Sequence, residues 1–456
     1  MTFRLGRQLP VPGPRLTLAN GARALRHRNY RLFFSGQLVS LVGTWMQTVA
    51  QSWLVLQLTG DPFLLGLVAA VQFMPVLVLG LFGGLIADAL PKRKTLVVTQ
   101  TIQMLLAFAL FGLVVTGAVQ VWHIIVLAGL LGVTNAVDMP TRQSFAVEMV
   151  GREDIANAVA LNSATFNAAR ILGPAIAGLT IGAFDISIAF LLNGLSFLAV
   201  IVAYLVMDEG ELRAPPTILR PRTVAEVRTT LSEGLRYVWA TPLVLLATSV
   251  IGLVATFGMN FNVIIPALAR DVLRTDAAGY GFLMAASGIG SLVAALWIAF
   301  AGRSRTGLIA VGALVLGLGE VVLALGASFA LSLGLMFMVG LGAISMAATA
   351  NTTIQLTVPD QLRGRTMSVY TTVFAGSTPF GGLLMGWMAS AFGVDVSLAA
   401  GGIACAVVGA WAWAWLRRIR RRAAAAASAG GGTTSAGDTF AGDKPLGGGS
   451  VTVRPR

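Results

Sequence analysis

Residues 83–96, GGLIADALPKRKTL, place one carboxylate, Asp88, and three cations, Lys92, Arg93 and Lys94, between two apolar runs. Their meaning depends on the chain around them. It has 456 residues, of which 56% are hydrophobic and only 11% charged, with 53 glycines and a mean hydropathy of +0.80. A helix needs about 20 apolar residues to cross a hydrocarbon core about 30 Å thick. Twelve stretches meet that length, at roughly 32–58, 63–87, 95–116, 121–141, 163–184, 186–207, 242–268, 278–301, 306–326, 329–352, 370–392 and 396–416. Each is continuously apolar, where a barrel strand would alternate over about 10 residues. The prediction is an all-α membrane protein with twelve transmembrane helices, in which 83–96 is the short turn between the second and third.

The basic residues set the orientation. An even number of spans puts both termini on one side, and 29 of the 32 Lys and Arg residues fall on that side, in the two tails and the loops shared with them. Only Arg270 and Arg274 lie opposite, and Arg170 falls inside a span. Loops rich in Lys and Arg stay in the cytoplasm. Cytoplasmic termini are therefore expected, and the net charge of +13 reads as topology and contact with anionic lipid at that face, not as nucleic-acid binding.

The spans divide six and six. Residues 1–28 read as a basic cytoplasmic tail without a cleavable signal, 29–207 as an N-terminal bundle and 208–241 as a connector. Residues 242–416 follow as a C-terminal bundle, and 417–456 as a basic tail expected to be disordered after 423. In the connector, Val224, Val227, Leu231, Leu235 and Val238 recur at helical spacing opposite Arg228, Glu233 and Arg236. That pattern fits a helix in the headgroup layer or one packed on the cytosolic ends of the bundle. An ungapped shift of 208 matches Gly173 to Gly381, Gly178 to Gly386, Ala183 to Ala391 and Phe184 to Phe392. Each segment follows a short polar stretch read as a loop, REDIAN and DQLRGR. Parallel six-helix repeats are an architecture of secondary transporters, with the substrate path between the repeats.

Gly84, Asp88, Lys92 and Arg93 occupy matching positions of the Gly-x-x-x-Asp-Arg/Lys-x-Gly-Arg-Arg/Lys loop of the major facilitator superfamily, which the chain thus resembles; Ala89 and Pro91 depart from that pattern. Gly-Thr-Trp-Met at 43–46, Asp138-x-Pro-x-Arg142 and Ala-Arg-x-x-Gly173-Pro174 are similar to the branch that includes bacterial enterobactin exporters. The resemblance, over residues 26–420, implies two pseudo-symmetric bundles in a bacterial cytoplasmic membrane, working as a monomer with no cofactor. It also implies export of a small molecule such as a siderophore or drug, by alternating access at the expense of a proton gradient. It makes the 83–96 turn a latch between the halves, against the alternative of a topology signal with a solvated ion pair. Asp138 either meets Arg93 or Lys92 or caps a helix end.

Within the spans, polar residues are few. Arg170 near the middle of the fifth span requires a partner or a wet cavity, because a charge there costs about 2.5 to 3.5 kcal/mol. It could meet an anionic substrate group or a gating carboxylate such as Asp138, or it could snorkel as structural glue. Gln37, Ser40, Thr44, Gln47 and Gln51 share one helical face of the first span, with Gln72, Asn135, Asn162, Asn167, Asn260, Asn351 and Gln355 as facing candidates. These groups could bind a solute or bond to neighbouring helices. Trp45, Met46 and Phe73 could add apolar surface. Glu320 is the one acid well inside a span of the second half, either a proton carrier or a protonated structural group.

Other functions find little support. The three lysines, at 92, 94 and 444, follow no glycine, so a phosphate-binding Gly-Lys-Ser/Thr loop is absent, and two histidines, His27 and His123, build no multi-His metal centre. Cys405 reads as a small apolar side chain. An intramembrane enzyme or a non-transporting scaffold or sensor remains as the alternative reading.

Overall fold

In the computed structural model the described residues are 22–213, 224–301, 305–326 and 328–430; at 81–89, 152, 224–228, 230–231 and 422–430 only the backbone is described. Among them every regular element is a helix. In chain order these are α1 (Arg28–Thr59), α2 (Pro62–Ala89), α3 (Lys92–Val115), α4 (Val121–Gly151), α5 (152–183) and α6 (Ile186–Val206). The connector contributes α7 (Val224–Ala240). Then come α8 (Pro242–Val272), α9 (Ala277–Ala301), α10 (Gly307–Ala324), α11 (Phe329–Thr357), α12 (Asp360–Phe392) and α13 (Val394–Gly430).

Nine of these helices are long and apolar enough to cross a membrane by composition: α2, α3, α4, α6, α8, α9, α10, α11 and α13. Of the other four, α7 is the connector helix, and α1, α5 and α12 have the length but carry more polar side chains. At 1.5 Å per residue, the 32 residues of α1 span about 48 Å. Its amides lie against other helices, so the helix can be buried in a bilayer while its average hydropathy stays low.

The elements differ from the sequence reading in three places. The polar stretch REDIAN is helical, and α4 runs into α5 through a single break at Gly151 (φ 74°), a backbone conformation glycine adopts without steric penalty. DQLRGR likewise lies within or next to the first turns of α12. Helix α13 continues to Gly430, so the segment 423–430 is helical where disorder was expected. The rest of that tail lies outside the described residues. At the N-terminus, Arg23–Arg26 form a short 3₁₀ turn docked on α5, with the Ala24 amide donating to Asn157 Oδ1 at 2.8 Å.

Two sets of six helices repeat one packing scheme. In the first half α1 packs on α5 and α6, α2 on α4, and α3 on α6; in the second α8 packs on α12 and α13, α9 on α11, and α10 on α13. The glycines matched by the 208-residue shift occupy equivalent contacts. Gly173 of α5 faces Val42 and Trp45 of α1, and Gly381 of α12 faces Thr256 and Asn260 of α8. Gly178 of α5 faces Ala277 and Ala278 of α9, and Gly386 of α12 faces Pro62, Phe63 and Gly66 of α2.

The last two contacts join the halves, which meet along two seams, α2 with α12 and α5 with α9. Both seams are tight at the end away from the basic loops. A Cβ at Gly66 would strike the Gly382 carbonyl, and one at Gly281 would strike the Pro174 carbonyl. Trp53 of α1 stacks on Tyr280 of α9 there, with ring centroids 6.2 Å apart and planes 18° from parallel. Toward the basic end the α2–α12 approach loosens: a Cβ at Gly376 would lie 3.7 Å from Leu77, while among the described residues Gly80 and Gly364 have nothing within 4 Å.

The connector helix α7 packs on the bundle. Val238 is buried, Gly234 lies against the Arg365 carbonyl and Val369 of α12, and Glu233 pairs with Arg365. Of the two sequence readings, attachment to the basic end of the bundle is the one observed.

Gly66→Val should force the α2–α12 seam apart at its tight end. A cysteine introduced at Ala69, which sits beside Gly382, should then react with a membrane-impermeant thiol reagent supplied from the side opposite the basic loops. It should stay protected when Gly66 is intact.

Candidate functional site

The basic end of the first half is held by a network on α3, α4 and α6. Lys92, in the first turn of α3, reaches Glu148 near the end of α4 with Nζ to Oε1 at 2.6 Å, and both side chains are about nine-tenths buried. Arg93 turns the other way. Its Nε donates to the Tyr204 carbonyl at 2.5 Å, its Nη2 to the Leu205 carbonyl at 2.7 Å, and its Nη1 pairs with Glu209. The last carbonyls of α6 lack helical partners and mark the negative end of its dipole, so a guanidinium there is stabilising.

Asp138 is fully buried on α4. Its Oδ1 accepts from Thr99 Oγ1 at 2.7 Å and Gln100 Nε2 at 2.8 Å, and its Oδ2 from Arg142 Nη2 at 2.6 Å. The expected meeting with Arg93 or Lys92 does not occur. Arg142 lies one helical turn further on the same helix, and the two hydroxyl and amide donors of α3 satisfy the remaining oxygen. Gly84 and Asp88 belong to the helical backbone of α2, but their side chains lie outside the described residues. Among the described residues, the ion pairs at the basic end each stay within one half: Lys92–Glu148, Arg93–Glu209 and Arg142–Asp138 in the first, Arg365–Glu233 and Arg363–Asp360 in the second.

The N-terminal turn is tied into the same face. Asp154 accepts from His27 Nε2 at 3.0 Å and meets Arg23 at 3.4 Å. The His27 bond, opposed by burial and aided by the Arg23 charge, holds its carboxyl below the usual carboxylate range.

Deeper in the bundle the polar residues separate into two groups. The first is engaged between helices. Asn193 of α6 donates to Gln47 Oε1 at 2.6 Å, Gln51 and Gln72 approach each other at 3.4 Å, and Gln103 of α3 reaches Asn135 at 3.4 Å. Asn260 is buried at the break in α8, where its amide donates to the Thr256 carbonyl at 2.7 Å. Gln47, Asn135 and Asn260 thus act first as links between or within helices. The sequence shows their period along a helix but not which neighbour each face meets.

The second group is more open. Asn162 is exposed on α5, Asn167 donates to the Ser163 carbonyl one turn back, and Asn351 accepts from Gln355 on α11. Arg170 joins them at the α5–α9 seam, donating to Ser291 Oγ of α9, which itself donates to the Ser287 and Gly340 carbonyls at 2.9 and 3.1 Å. Pro174, four residues on, cannot donate to the Arg170 carbonyl. Trp45 lies edge-on to Phe166 at 5.7 Å, giving this region an aromatic wall, whereas Met46 is packed in the core and Phe73 is partly exposed on α2. Sequence reasoning missed Glu148, Glu209, Thr99, Gln100 and Ser291. The two acids carry a sequence signal, being carboxylates near basic-end helix termini; Ser291 carries none.

Glu320 stands apart on α10. It is 3% exposed, and its Oε2 has no hydrogen-bond partner among the described residues. The carboxyl points at the interruption of α8, within 3.3 Å of where a Cβ of Gly258 would stand, with Cys405 of α13 beside the same position.

Residues 20–429 match the family described as transmembrane secretion effector. The multidrug efflux pump Tap of Mycolicibacterium fortuitum is 30% identical over 385 residues, covering 81% of this chain and 91% of Tap. The staphyloferrin A transporter of Staphylococcus aureus is 26% identical, covering 80% and 90%. The enterobactin exporter EntS of Shigella boydii is 24% identical, covering 84% and 90%. Among solved structures, a bacterial homologue of the human lysosomal transporter Spinster, in an inward-facing and unoccupied conformation, superposes with a TM-score of 0.68 at 12% identity, covering 88% of this chain and 98% of that one. A peptide transporter POT gives a TM-score of 0.68 at 15% identity, covering 86% and 95%.

The Lys92–Glu148 pair generates a stability prediction. Lys92→Ala or Glu148→Ala alone strands a buried charge and should cost about 3 kcal/mol, read as a lowered thermal midpoint in detergent. The double variant should recover much of that loss, and strict additivity would show that the pair is not coupled.

Proposed function

The chain belongs to the transmembrane secretion effector family of the major facilitator superfamily, and we propose that it is a secondary exporter of small organic molecules driven by the proton gradient. The reading includes a monomer in a bacterial cytoplasmic membrane with the basic end in the cytoplasm, as the bias of Lys and Arg toward one side of the bundle supports. Its moving parts are the bundles 29–207 and 242–416. The connector 208–241 and the tails 1–28 and 417–456 attach at the cytoplasmic face.

The observation that carries the reading is the asymmetry of the α2–α12 seam. Tight glycine contacts at the periplasmic end and a loose approach at the cytoplasmic end are what an inward-facing conformation of two rocking halves requires. Opening outward means separating the periplasmic contacts and closing the cytoplasmic ones. The 83–96 turn, with Gly84, Asp88, Lys92 and Arg93, remains a candidate latch for the second step. In this conformation Lys92 and Arg93 are engaged inside their own half, which fits a latch that is released here.

The proposed substrate region centres on Arg170 at the α5–α9 seam and takes in Asn162, Asn167 and Phe166 of the same helix, Trp45 against Phe166, and Asn351 of α11. Gln51 and Gln72 link α1 to α2 nearby in the first half. A guanidinium next to amides and an aromatic surface suits an amphipathic organic molecule carrying an anionic group, as a siderophore or an acidic drug does. The drug and siderophore transporters among the relatives fit that chemistry. Gly173 and Pro174 serve the same region through packing, the glycine against α1 and the proline carbonyl against Gly281.

Glu320 is the proposed carrier of the coupling proton. A carboxyl whose Oε2 has no hydrogen-bond partner among the described residues, set against the break between residues 257 and 261 of α8, is positioned so that a shift of that segment changes its access to water.

Two variants in proteoliposomes test these roles. Arg170→Ala should lower counterflow of anionic substrates about tenfold more than that of neutral ones; equal loss for both would make Arg170 a packing residue. Glu320→Gln should retain substrate counterflow but lose acceleration by an imposed pH gradient, and unchanged acceleration would place the proton elsewhere. Counterflow with a panel of siderophores, cationic drugs and amino acids, under pH gradients of both signs, tests the function itself, and no transport of any class would overturn it.

A further inference from the structure

Arg270 is one of two cations at the periplasmic end, and its side chain crosses between the halves. It sits in the last turn of α8, Leu268–Val272, where the hydrogen bonding widens to a π pattern. Its Nη1 donates to the Leu56 carbonyl of α1 at 2.7 Å and its Nη2 to the Gly60 carbonyl at 3.2 Å, while its Nε is fixed by Asp271 Oδ1 at 2.6 Å.

The target of this side chain is capped by its own backbone but carries no cation of its own. Helix α1 ends at Thr59, with Gly60 left-handed (φ 68°) and its amide donating to the Leu56 carbonyl at 2.9 Å. The last turn of α1 holds no basic residue of its own. The negative end of a 32-residue helix therefore receives its cation from the opposite half of the molecule. The guanidinium can donate to two carbonyls at once while Asp271 holds its third edge, a geometry an ammonium cannot reproduce.

The surroundings place the contact on the moving seam. Trp53, one turn before Leu56, stacks on Tyr280 at the start of α9, and α1 also packs against the 261–267 segment of α8 that leads into Arg270. On the proposal above, outward opening separates α1 from α8 and α9 at this end. The Arg270 bonds must then break, and the Leu56 and Gly60 carbonyls must pass to water.

We propose that Arg270 is a gating residue that clamps the periplasmic end of α1, oriented by Asp271, so that its capping bonds stabilise the inward-facing state against the outward-facing one. This rests on the alternating-access reading. The clamp differs from the 83–96 turn at the cytoplasmic end: it uses helix-terminal carbonyls in place of a carboxylate, and it is engaged in the conformation in which Lys92 and Arg93 pair within their own half.

The test uses the full chain in nanodiscs with Cys405→Ala, and cysteines at Ala118 and Leu325 carrying spin labels. These positions lie on exposed periplasmic connections of opposite halves. Double electron–electron resonance then reads the ratio of short to long separations at two pH values. The parent protein should show both populations. Arg270→Ala should shift the ratio toward the long separation by about tenfold, the size expected for losing charge-assisted bonds to two carbonyls. Arg270→Lys should fall between, and Asp271→Asn should shift it less than Arg270→Ala. Two populations in the parent with an unchanged ratio in Arg270→Ala would overturn the clamp and leave the rocking mechanism standing. One population at both pH values, in parent and variants alike, would overturn the rocking mechanism and the clamp with it.

Discussion

The structure depends on how closely two helix backbones can approach inside a membrane. Lipid tails are as apolar as leucine, so helices gain little by hiding apolar side chains from their surroundings, and van der Waals contact between small residues has to hold them. Gly66 and Gly386 on one seam and Gly178 and Gly281 on the other let backbone meet backbone across the halves. A Cβ at any of these positions would collide with a carbonyl or Cα of the other half, so the seams are set by the main chain and not by interchangeable side chains. Such contacts have no covalent or ionic tether and can part as units. A fixed interface of large interlocking side chains would have to repack before it could open.

The two ends of these seams are stabilised by different chemistry. At the basic end the cations are occupied inside each half: Lys92 by Glu148, Arg93 by the end of α6, and Arg365 by the connector helix. Each pair rigidifies its own bundle and leaves the space between bundles unlinked by them. At the other end the linkage between halves consists of backbone packing, one aromatic stack and the Arg270 contacts to α1. The rigidity of the halves and the weakness of what joins them are therefore separate properties of the sequence. The first resides in buried polar networks such as Thr99, Gln100, Asp138 and Arg142, the second in glycine and in the guanidiniums of Arg270 and Arg170.

How much of this could be read from residues alone follows from the range of the signal. Hydropathy over about 20 residues reports each span independently, so the number and order of helices were legible, including α1, α5 and α12, whose polar residues lower their average. The 208-residue shift was legible for a different reason: Gly173 and Gly381 each make the same close approach within their own half, and Gly178 and Gly386 each make the same close approach to the other half. Partners were not legible. Asp138 could be matched with Arg93 by charge, but Arg142 lies one turn on in the same helix and the rotation of α4 turns the carboxylate toward the donors of α3. Gln47 and Asn135 lie on polar stripes, yet a stripe reports a shared face and not whether it meets a cavity or another helix. Ser291 is unremarkable in sequence and acquires its role only because Arg170 ends beside it.

Arg170 shows why those failures cluster at the candidate site. A cation within a span has to be satisfied in every conformation the protein visits, and its bond to Ser291 crosses the seam that is proposed to move. A neutral hydroxyl is a weak partner for a guanidinium compared with a carboxylate, and Ser291 is itself bonded to two carbonyls of α9 and α11. The result is a charge that is held but not neutralised. A strong carboxylate partner would fix the α5–α9 seam and compete with any anionic ligand, whereas the serine leaves the positive charge free to select one. On the proposed function, the same weakness that makes the partner invisible in the sequence would let the residue serve a substrate.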